Sequence, residues 1–205
     1  MDTSGVFESL IILNERIEGL LSRIDFISND SDNPKSDIYF INKIPENKRK
    51  TFIKDPKLFN EYVPLGQRES LKTFLKPVVE TYLQIAELPN QVEDLLKTIS
   101  DCKIHLDLNL NLSLTQEVLK MVANTASLLI IVFSVSNDLL IIPELYQKIT
   151  VQSDFTEQLK NLDTFLANFK SPVDQLASHL APYSQLLGGA AISAAKILER
   201  AEDQV

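Results

Sequence analysis

Apolar residues recur at steps of three and four along most of this chain, the spacing that places side chains on one face of an α-helix. The first such set predicts one amphipathic helix of about six turns near the N-terminus. A cluster of Asn, Asp, Ser and Pro at residues 28–34 ends the pattern, because these residues compete with the backbone for hydrogen bonds or cannot donate them. The apolar positions of this helix are Phe7, Leu10, Leu13, Ile17, Leu20, Ile24 and Ile27.

The segment at about residues 28–66 has the least regular pattern in the chain. Pro45, Pro56 and Pro64 interrupt any long helix there, because proline lacks the backbone donor and restricts the residue before it. Residues 49–54 have room for only a turn or two. We therefore expect an irregular, proline-interrupted connector after the first helix.

Helical spacing returns after the connector, but prolines lie inside it. Pro77 removes one helical hydrogen bond and crowds the preceding turn, so it predicts a kink or a new helix start. Pro89 predicts the first turn of the next helix, where its missing donor costs nothing. The apolar positions around these prolines are Leu71, Phe74, Leu75, Val78, Tyr82, Ile85, Leu88, Val92, Leu95, Leu96 and Ile99.

Leucines alternate strictly with other residues in the next segment, at positions 106, 108, 110, 112 and 114. Periodicity alone predicts a half-buried strand. The chain offers no second well-alternating segment to pair with it, so a lone strand would leave both edges unpaired. Ser113 and Gln116 form a capping-box pair that favours the start of another helix. Residues 106–113 are thus either a connector or a strand.

Residues 121–137 carry no charged side chain. A helix that is apolar on all sides belongs in a protein core, so this segment predicts a fully buried central helix, with Leu129, Ile130 and Phe133 buried together. The alternative is a small helical membrane-anchored protein that uses residues 121–137 as its membrane segment, since about 20 mainly apolar residues cross a bilayer. Polar residues such as Asn124 inside the segment argue against that alternative.

The C-terminal third continues the helical spacing. A broad apolar stripe consists of Phe155, Leu159, Leu162, Phe165, Leu166 and Phe169. Pro172 predicts the start of a further helix and Pro182 an interruption of it. The whole pattern predicts an all-α fold: a multi-helix bundle with a central apolar helix and an irregular, proline-interrupted segment after helix 1.

Composition limits the size and the partners of this fold. A chain of 205 residues with 44% hydrophobic residues is long enough for one sizeable core, so we expect a single domain over residues 1–205. The net charge of -8 argues against nucleic acid as a partner. The only cysteine, Cys102, has no partner for an internal disulfide and is expected to be buried filler in a protein of a reducing compartment. The N-terminus lacks a charged and then apolar leader, so no secretory signal is predicted.

Candidate chemistry is sparse. His105 and His179 lie far apart in the sequence, and neither belongs to a metal-ligand spacing such as H-E-x-x-H. The carboxylates are scattered over positions typical of solvated helix faces. We therefore expect no catalytic residues, cofactor, metal or small-molecule substrate, and the sequence predicts a protein that is not an enzyme.

Two segments carry a resemblance to a known family. Residues 12–24 read I-L-N-E-R-I-E-G-L-L-S-R-I. The second segment covers residues 94–134 and reads L-L-K-T-I-S-D-C at residues 95–102. With the later matches, they resemble the N-terminal region of the Hem/Nck-associated protein family over nearly the whole chain. The matching positions that we take as structural or interface residues are Leu13, Asn14, Arg16, Gly19, Arg23, Leu96, Thr98, Cys102, Asp107, Thr115, Tyr146, Pro172, Pro182 and Ser184.

The resemblance implies a function as well as a fold. Members of this family are all-helical scaffold subunits of the WAVE (SCAR) regulatory complex, so it implies CYFIP/Sra, Abi and WAVE subunits as partners and, indirectly, Rac. It implies a cytoplasmic protein of the cytoskeleton and cell cortex, at leading-edge protrusions, with membrane association through the complex. It also implies that residues 106–113 are a helix end and a short extended connector.

Family members are several times longer than this chain, so the resemblance covers only their N-terminal portion. A truncated paralogue, a fragment and a short regulator are all compatible with that difference. The first two would expose apolar surface that the rest of a longer scaffold covers. We therefore expect the chain to self-associate or to bind WAVE-complex subunits.

Overall fold

The protein is described by a computed structural model, and its described residues form α-helices, 3₁₀ turns and loops, with no strand among them. The all-α prediction is confirmed. The stripe at residues 155–169 lies outside the described residues, and so does the side chain of Phe133. The described residues are 2–31, 33–35, 43–49, 51–107, 110–134, 141–150 and 172–188.

Helix α1, Thr3–Ser31, follows the predicted N-terminal helix closely. Its buried side chains recur at the predicted steps of three and four, whereas Phe7 is only half-buried. The apolar stripe therefore forms the packing face of the helix. Its buried members are Val6, Leu10, Leu13, Ile17, Leu20, Ile24 and Ile27.

The connector contains more helix than its prolines suggested. It includes α2, Glu46–Arg49, α3, Pro56–Tyr62, and a 3₁₀ turn, Leu65–Gln67. Asp55 caps α3, since its carboxylate accepts hydrogen bonds from the backbone N–H groups of the second and third helical residues at 2.9 and 3.2 Å. Pro56 stands at the first helical position, where a proline is favoured.

An aromatic cluster packs this connector. The rings of Phe52 and Phe59 stack at a centroid distance of 6.5 Å, and Tyr62 meets Phe52 edge-on at 6.3 Å. The cations of Arg68 and Lys148 lie 4.9 and 4.6 Å from the centroid of the Phe59 ring. These ring and cation–π contacts give the segment a small core of its own.

Helix α4, Arg68–Asp101, runs without interruption through both of its prolines. The predicted new helix starts at Pro77 and Pro89 are therefore wrong, while a kink at Pro77 remains a prediction. Each proline removes a single backbone hydrogen bond. A long buried stripe that includes Leu75, Tyr82 and Leu88 lies on both sides of the prolines, and its packing holds the helix together.

The described residues of the leucine-alternating segment form no strand, and the way α4 ends contributes to this. Lys103 adopts a positive φ of 53°. The N–H of Lys103 donates to the carbonyl of Ser100 at 2.9 Å, and the N–H of Ile104 donates to that of Ile99 at 3.1 Å. This pattern is a Schellman motif, which ends a helix and reverses the chain. Cys102 occupies the turn and is half-exposed, so its predicted role as buried filler is wrong.

Helix α5, Leu112–Ser134, is the central apolar helix. It begins one residue before Ser113, which therefore lies in the first turn and is not the predicted cap. Leu129 and Ile130 are buried as predicted. The helix is not buried on all sides, because Asn124 and Ile131 are half-exposed.

Within the described part of the chain, α5 is also the one helix long and apolar enough over Leu112–Val132 to cross a membrane. Buried residues make up 56% of its most apolar stretch. A core helix of this length meets the same criterion. Its buried positions, such as Val118, Met121 and Leu128, are those of a helix packed against protein.

The remaining elements are short. They are α6, Ile142–Ile149, α7, Pro172–Leu180, a 3₁₀ turn, Ala181–Tyr183, and α8, Ser184–Leu187. Pro172 begins α7 and Pro182 lies in the 3₁₀ turn that ends it, as predicted.

The chain divides into two compact units. The first unit comprises Met1–Ser22, Ile85–Ser134 and Phe169–Val205, and the second unit comprises Arg23–Gln84 and Val135–Asn168. Helices α1 and α4 thus contribute residues to both. A single domain over residues 1–205 remains a prediction.

Candidate protein-binding cleft

A surface cleft of about 420 Å³ lies between α1 and α4 in the first unit. One wall belongs to the N-terminal half of α1 and the other to the C-terminal half of α4. The helical repeat places residues at steps of three and four on the same wall. The lining residues are Ser9, Ile12, Leu13 and Arg16 on α1, and Gln91, Asp94, Leu95 and Thr98 on α4.

The cleft combines an apolar interior with polar edges. Leu13 and Leu95 are buried, whereas Ile12 is 54% exposed at the rim. Arg16 Nη1 donates to Gln91 Oε1 at 3.2 Å, which joins the two walls. The hydroxyl of Thr98 donates to the backbone carbonyl of Asp94 at 2.9 Å. The cleft therefore offers an apolar contact together with charged and amide groups that face solvent.

Gly19 lies three residues beyond Arg16 on the exposed side of α1. A Cβ built at Gly19 meets no atom within 4 Å. Glycine inside a helix costs about 1 kcal/mol relative to alanine. The packing of the described residues gives no reason for glycine at this position.

Behind the cleft, a buried amide joins α1 to α5. Asn14 Nδ2 donates to the Glu117 carboxylate at 2.7 Å and to the Glu117 backbone carbonyl at 3.1 Å. Nearby on the same two helices, Lys120 Nζ lies 2.7 Å from Glu18 Oε1. This hydrogen bond raises the pKa of Lys120. The Asn14 hydrogen bonds hold the buried face of α1 in register with α5, and the Glu18–Lys120 pair is an exposed contact between the same two helices.

A second polar contact holds the connector before α5. The backbone N–H of Asp107 donates to the hydroxyl of Thr115 at 3.0 Å, and the carboxylate of Asp107 accepts from the N–H of Leu110 at 3.2 Å. Asn111 donates to the carbonyl of His105 at 2.8 Å. Side chains satisfy these backbone groups, so the segment needs no strand partner.

The two histidines differ in setting. His105 is exposed, whereas His179 Nδ1 on α7 lies 2.5 Å from Glu93 Oε2 on α4. Both members of this pair are partly exposed. Among the residues that the structure describes, no three His, Cys, Asp or Glu side chains are grouped to hold a metal ion.

The structure brings some of the family-motif positions together and separates others. Leu13, Arg16 and Thr98 line the cleft. Asn14 and Thr115 are buried in helix contacts, and Leu96 is buried in the core. The positions away from the cleft are Arg23, exposed on α1; Cys102 and Asp107, after α4; Tyr146, buried in α6; and Pro172, Pro182 and Ser184, in α7, the 3₁₀ turn and α8.

The family segments at residues 12–24 and 95–102 contain five of the eight residues that line the cleft and lack Ser9, Gln91 and Asp94. Gln91 and Asp94 belong to no motif, and only the fold places them opposite Arg16. Ile12 did carry a signal, because it is a large apolar residue that falls between the buried positions Leu10 and Leu13 on α1. An apolar side chain off the packing face is a candidate for contact with a partner.

The described residues define an all-α protein in which polar side chains join helices to one another. The sequence profile of the Nck-associated protein 1 family matches residues 4–204. The chain belongs to this family.

Curated relatives agree with the profile. Membrane-associated protein Hem of Drosophila melanogaster is 29% identical over 192 residues, covering 90% of this chain and 17% of its own length. Nck-associated protein 1-like of Homo sapiens is 24% identical and covers 91% of this chain and 17% of its own length. Membrane-associated protein gex-3 of Caenorhabditis elegans is 23% identical and covers 95% of this chain and 18% of its own length. The chain thus spans less than a fifth of these relatives, in their N-terminal portion.

Proposed function

We propose that this chain is a non-enzymatic scaffold domain that takes part in a WAVE (SCAR) regulatory complex. The observation that carries the proposal is the family match over residues 4–204. The positions of the family motif support it, because several of them either join helices, as Asn14 does, or stand exposed on α1, as Arg16 and Gly19 do. A scaffold needs both kinds of position: a fixed helix framework and exposed positions that partners can contact.

The proposed mechanism is association through helix surfaces, without covalent chemistry. Apolar side chains would be buried against partner helices, while charged groups at the rim set specificity. By family likeness the partners are the CYFIP/Sra, Abi and WAVE subunits, and the complex responds to Rac and controls actin nucleation, cell shape and motility. The names of the Hem and gex-3 relatives, which call those proteins membrane-associated, support a place at the cell cortex for this chain as well.

Affinity purification of the tagged chain from its native cell tests the proposal. We expect CYFIP/Sra, Abi and WAVE subunits to be recovered in stoichiometric amounts. Overproduction of the chain should also disturb actin-rich protrusions, because the chain competes with longer scaffolds for the same partners. Recovery of none of these subunits, together with unchanged protrusions and a strict monomer in sedimentation, would rule the proposal out.

A further inference from the structure

We propose that the α1–α4 cleft, together with Gly19, is the docking site for a single amphipathic helix of a partner protein. The partner helix presents an apolar side chain to Ile12 and the cleft floor, an acidic side chain to Arg16 and a basic side chain to Asp94. This inference rests on the proposed scaffold function and specifies which surface of the chain is used and what chemistry fits it.

The apolar part of the cleft provides the anchor point. Ile12, with 54% of its surface exposed, lines the cleft together with the buried Leu13 and Leu95. The cleft has a volume of about 420 Å³ and is open to solvent, so a helix lying across it can place an apolar side chain against Ile12, as amphipathic helices do in hydrophobic grooves. An inserted side chain would cover Ile12 and continue the apolar core of the first unit outward.

The charges of Arg16 and Asp94 determine which charged residues a partner helix must carry. Arg16 uses one of its N–H groups for Gln91, and a guanidinium has five donors in a planar fork that matches a carboxylate. Within the described part of the chain, the Asp94 carboxylate accepts no hydrogen bond and faces the same cleft. A complementary helix therefore carries one acidic and one basic residue on the two sides of its apolar anchor.

Gly19 explains how a helix can approach closely. It continues the exposed positions of Ile12 and Arg16 at steps of four and three, so the three residues share one face of α1. Without a side chain at Gly19, the backbone of a second helix can cross α1 at short range. This is a reason for glycine that the packing of the described chain does not supply.

A second copy of this chain is a poor occupant. Each copy has a net charge of -8, which opposes the association of two copies. The observations therefore favour a different protein with the charge pattern described above.

Site-specific photo-crosslinking in the native cell tests the inference. The photo-reactive residue p-benzoylphenylalanine replaces Ile12 in the full chain, and the crosslinked peptide is identified by mass spectrometry. We expect a segment of another protein with helical apolar spacing and with acidic and basic residues beside the crosslinked position. The same residue placed at Leu65, an exposed leucine of the second unit, is the matched control and should not capture that segment.

Two further substitutions separate docking from folding. Arg16→Glu, with the crosslinker retained at Ile12, should lower the crosslink yield at least about tenfold, because it places like charges together. Gly19→Leu should lower the yield comparably by filling the approach path. It should leave the melting temperature of the chain unchanged or higher, since nothing surrounds Gly19 and leucine favours helix.

The outcomes distinguish this inference from the proposed function. A crosslink to an amphipathic helix of a protein outside the WAVE complex supports the docking site and counts against the proposed function. Recovery of WAVE-complex subunits that is unaffected by Arg16→Glu and Gly19→Leu, with no crosslink at Ile12, overturns the docking site alone. A crosslink only to a second copy of the chain, or to a segment without helical apolar spacing, also overturns it.

Discussion

Asn14 on α1 donates hydrogen bonds to both the side chain and the backbone of Glu117 on α5, at 2.7 and 3.1 Å. These two residues lie 103 positions apart in the sequence. Asn14 is 2% exposed, and its Oδ1 has no hydrogen-bond partner among the described residues. Asn14 therefore stabilises the fold through the two hydrogen bonds that it donates. These bonds fix the rotation of α1 against α5, and Arg16 and Gly19 lie on the solvent side of α1.

Substitution of Asn14 should therefore destabilise the fold. Asn14→Leu removes both donors from Glu117 and is expected to cost about 1–3 kcal/mol. Asn14→Asp should cost more at neutral pH, because it places two carboxylates together, and should recover as the pH falls, because a protonated carboxyl can donate. Urea denaturation at pH 7 and pH 5 measures both effects. Gln116→Leu, at the exposed neighbour of Glu117, is the control, and an equal loss there would contradict the assignment.

The buried hydroxyl of Tyr82 is expected to make the fold less stable at alkaline pH. Its hydroxyl is buried without a hydrogen-bond partner among the described residues, and burial raises the pKa of Tyr82. In the unfolded chain this hydroxyl ionises above a pH of about 10, whereas the folded chain keeps the proton. The stability present below pH 10 is therefore lost as the pH rises above it.

Tyr82→Phe removes both effects. We expect the variant to be as stable as the parent or up to about 3 kcal/mol more stable at neutral pH, because an unsatisfied buried hydroxyl is removed. Its stability should also fall less between pH 9 and pH 11. Thermal unfolding monitored by circular dichroism across this pH range is the measurement. Tyr183→Phe, at a half-exposed tyrosine, should leave the neutral-pH stability unchanged.

The central position of α5 can be tested by truncation. Leu129 is 1% exposed, so Leu129→Ala should cost about 2–5 kcal/mol of unfolding free energy. Leu112, at the start of the same helix, is 49% exposed, and Leu112→Ala should change the stability by less than about 0.5 kcal/mol. Similar urea midpoints for the two variants would show that α5 is not the core helix.

Lys103 is strained in its left-handed conformation, because it has a Cβ that glycine lacks. Its φ of 53° ends α4 in the Schellman motif. Lys103→Gly should therefore raise the stability by about 1 kcal/mol, while Lys103→Ala should not, because alanine also has a Cβ. Melting temperatures of the two variants test the prediction. A gain for alanine as large as that for glycine would point to the lysine charge instead of the backbone.

Substitutions of Thr115 test whether its hydroxyl stabilises the connector before α5. Thr115→Val removes the acceptor for the N–H of Asp107 and should cost about 1 kcal/mol, whereas Thr115→Ser keeps the hydroxyl and should cost less. Backbone chemical shifts over residues 104–107 should be those of an extended segment without strand pairing. Chemical shifts typical of a paired strand would show that the strand predicted by the leucine alternation is correct and the connector is not.

Helical spacing in the sequence was enough to predict the N-terminal helix and its packing face. The steps of three and four in α1 predicted which of its residues are buried, from Leu10 to Ile27. This succeeds because the spacing of apolar residues determines which side of a helix is apolar, and the apolar side is the one that packs against the core. The family motif was equally readable, since the order of residues such as Asn14, Arg16 and Gly19 needs no structure to be recognised.

Tertiary structure determined the outcome wherever two local signals conflicted. It also determined which residues distant in the sequence lie in contact. Pro77 predicted a kink or a new helix start, and α4 continues through it without a new start, because packing on both sides of the proline outweighs one lost hydrogen bond. The alternating leucines predicted a strand by period, but they follow a helix-ending turn at Lys103 and have no strand partner among the described residues. Arg16 meets Gln91 across 75 positions. No periodic pattern encodes such a pairing, because it depends on how the helices pack against one another.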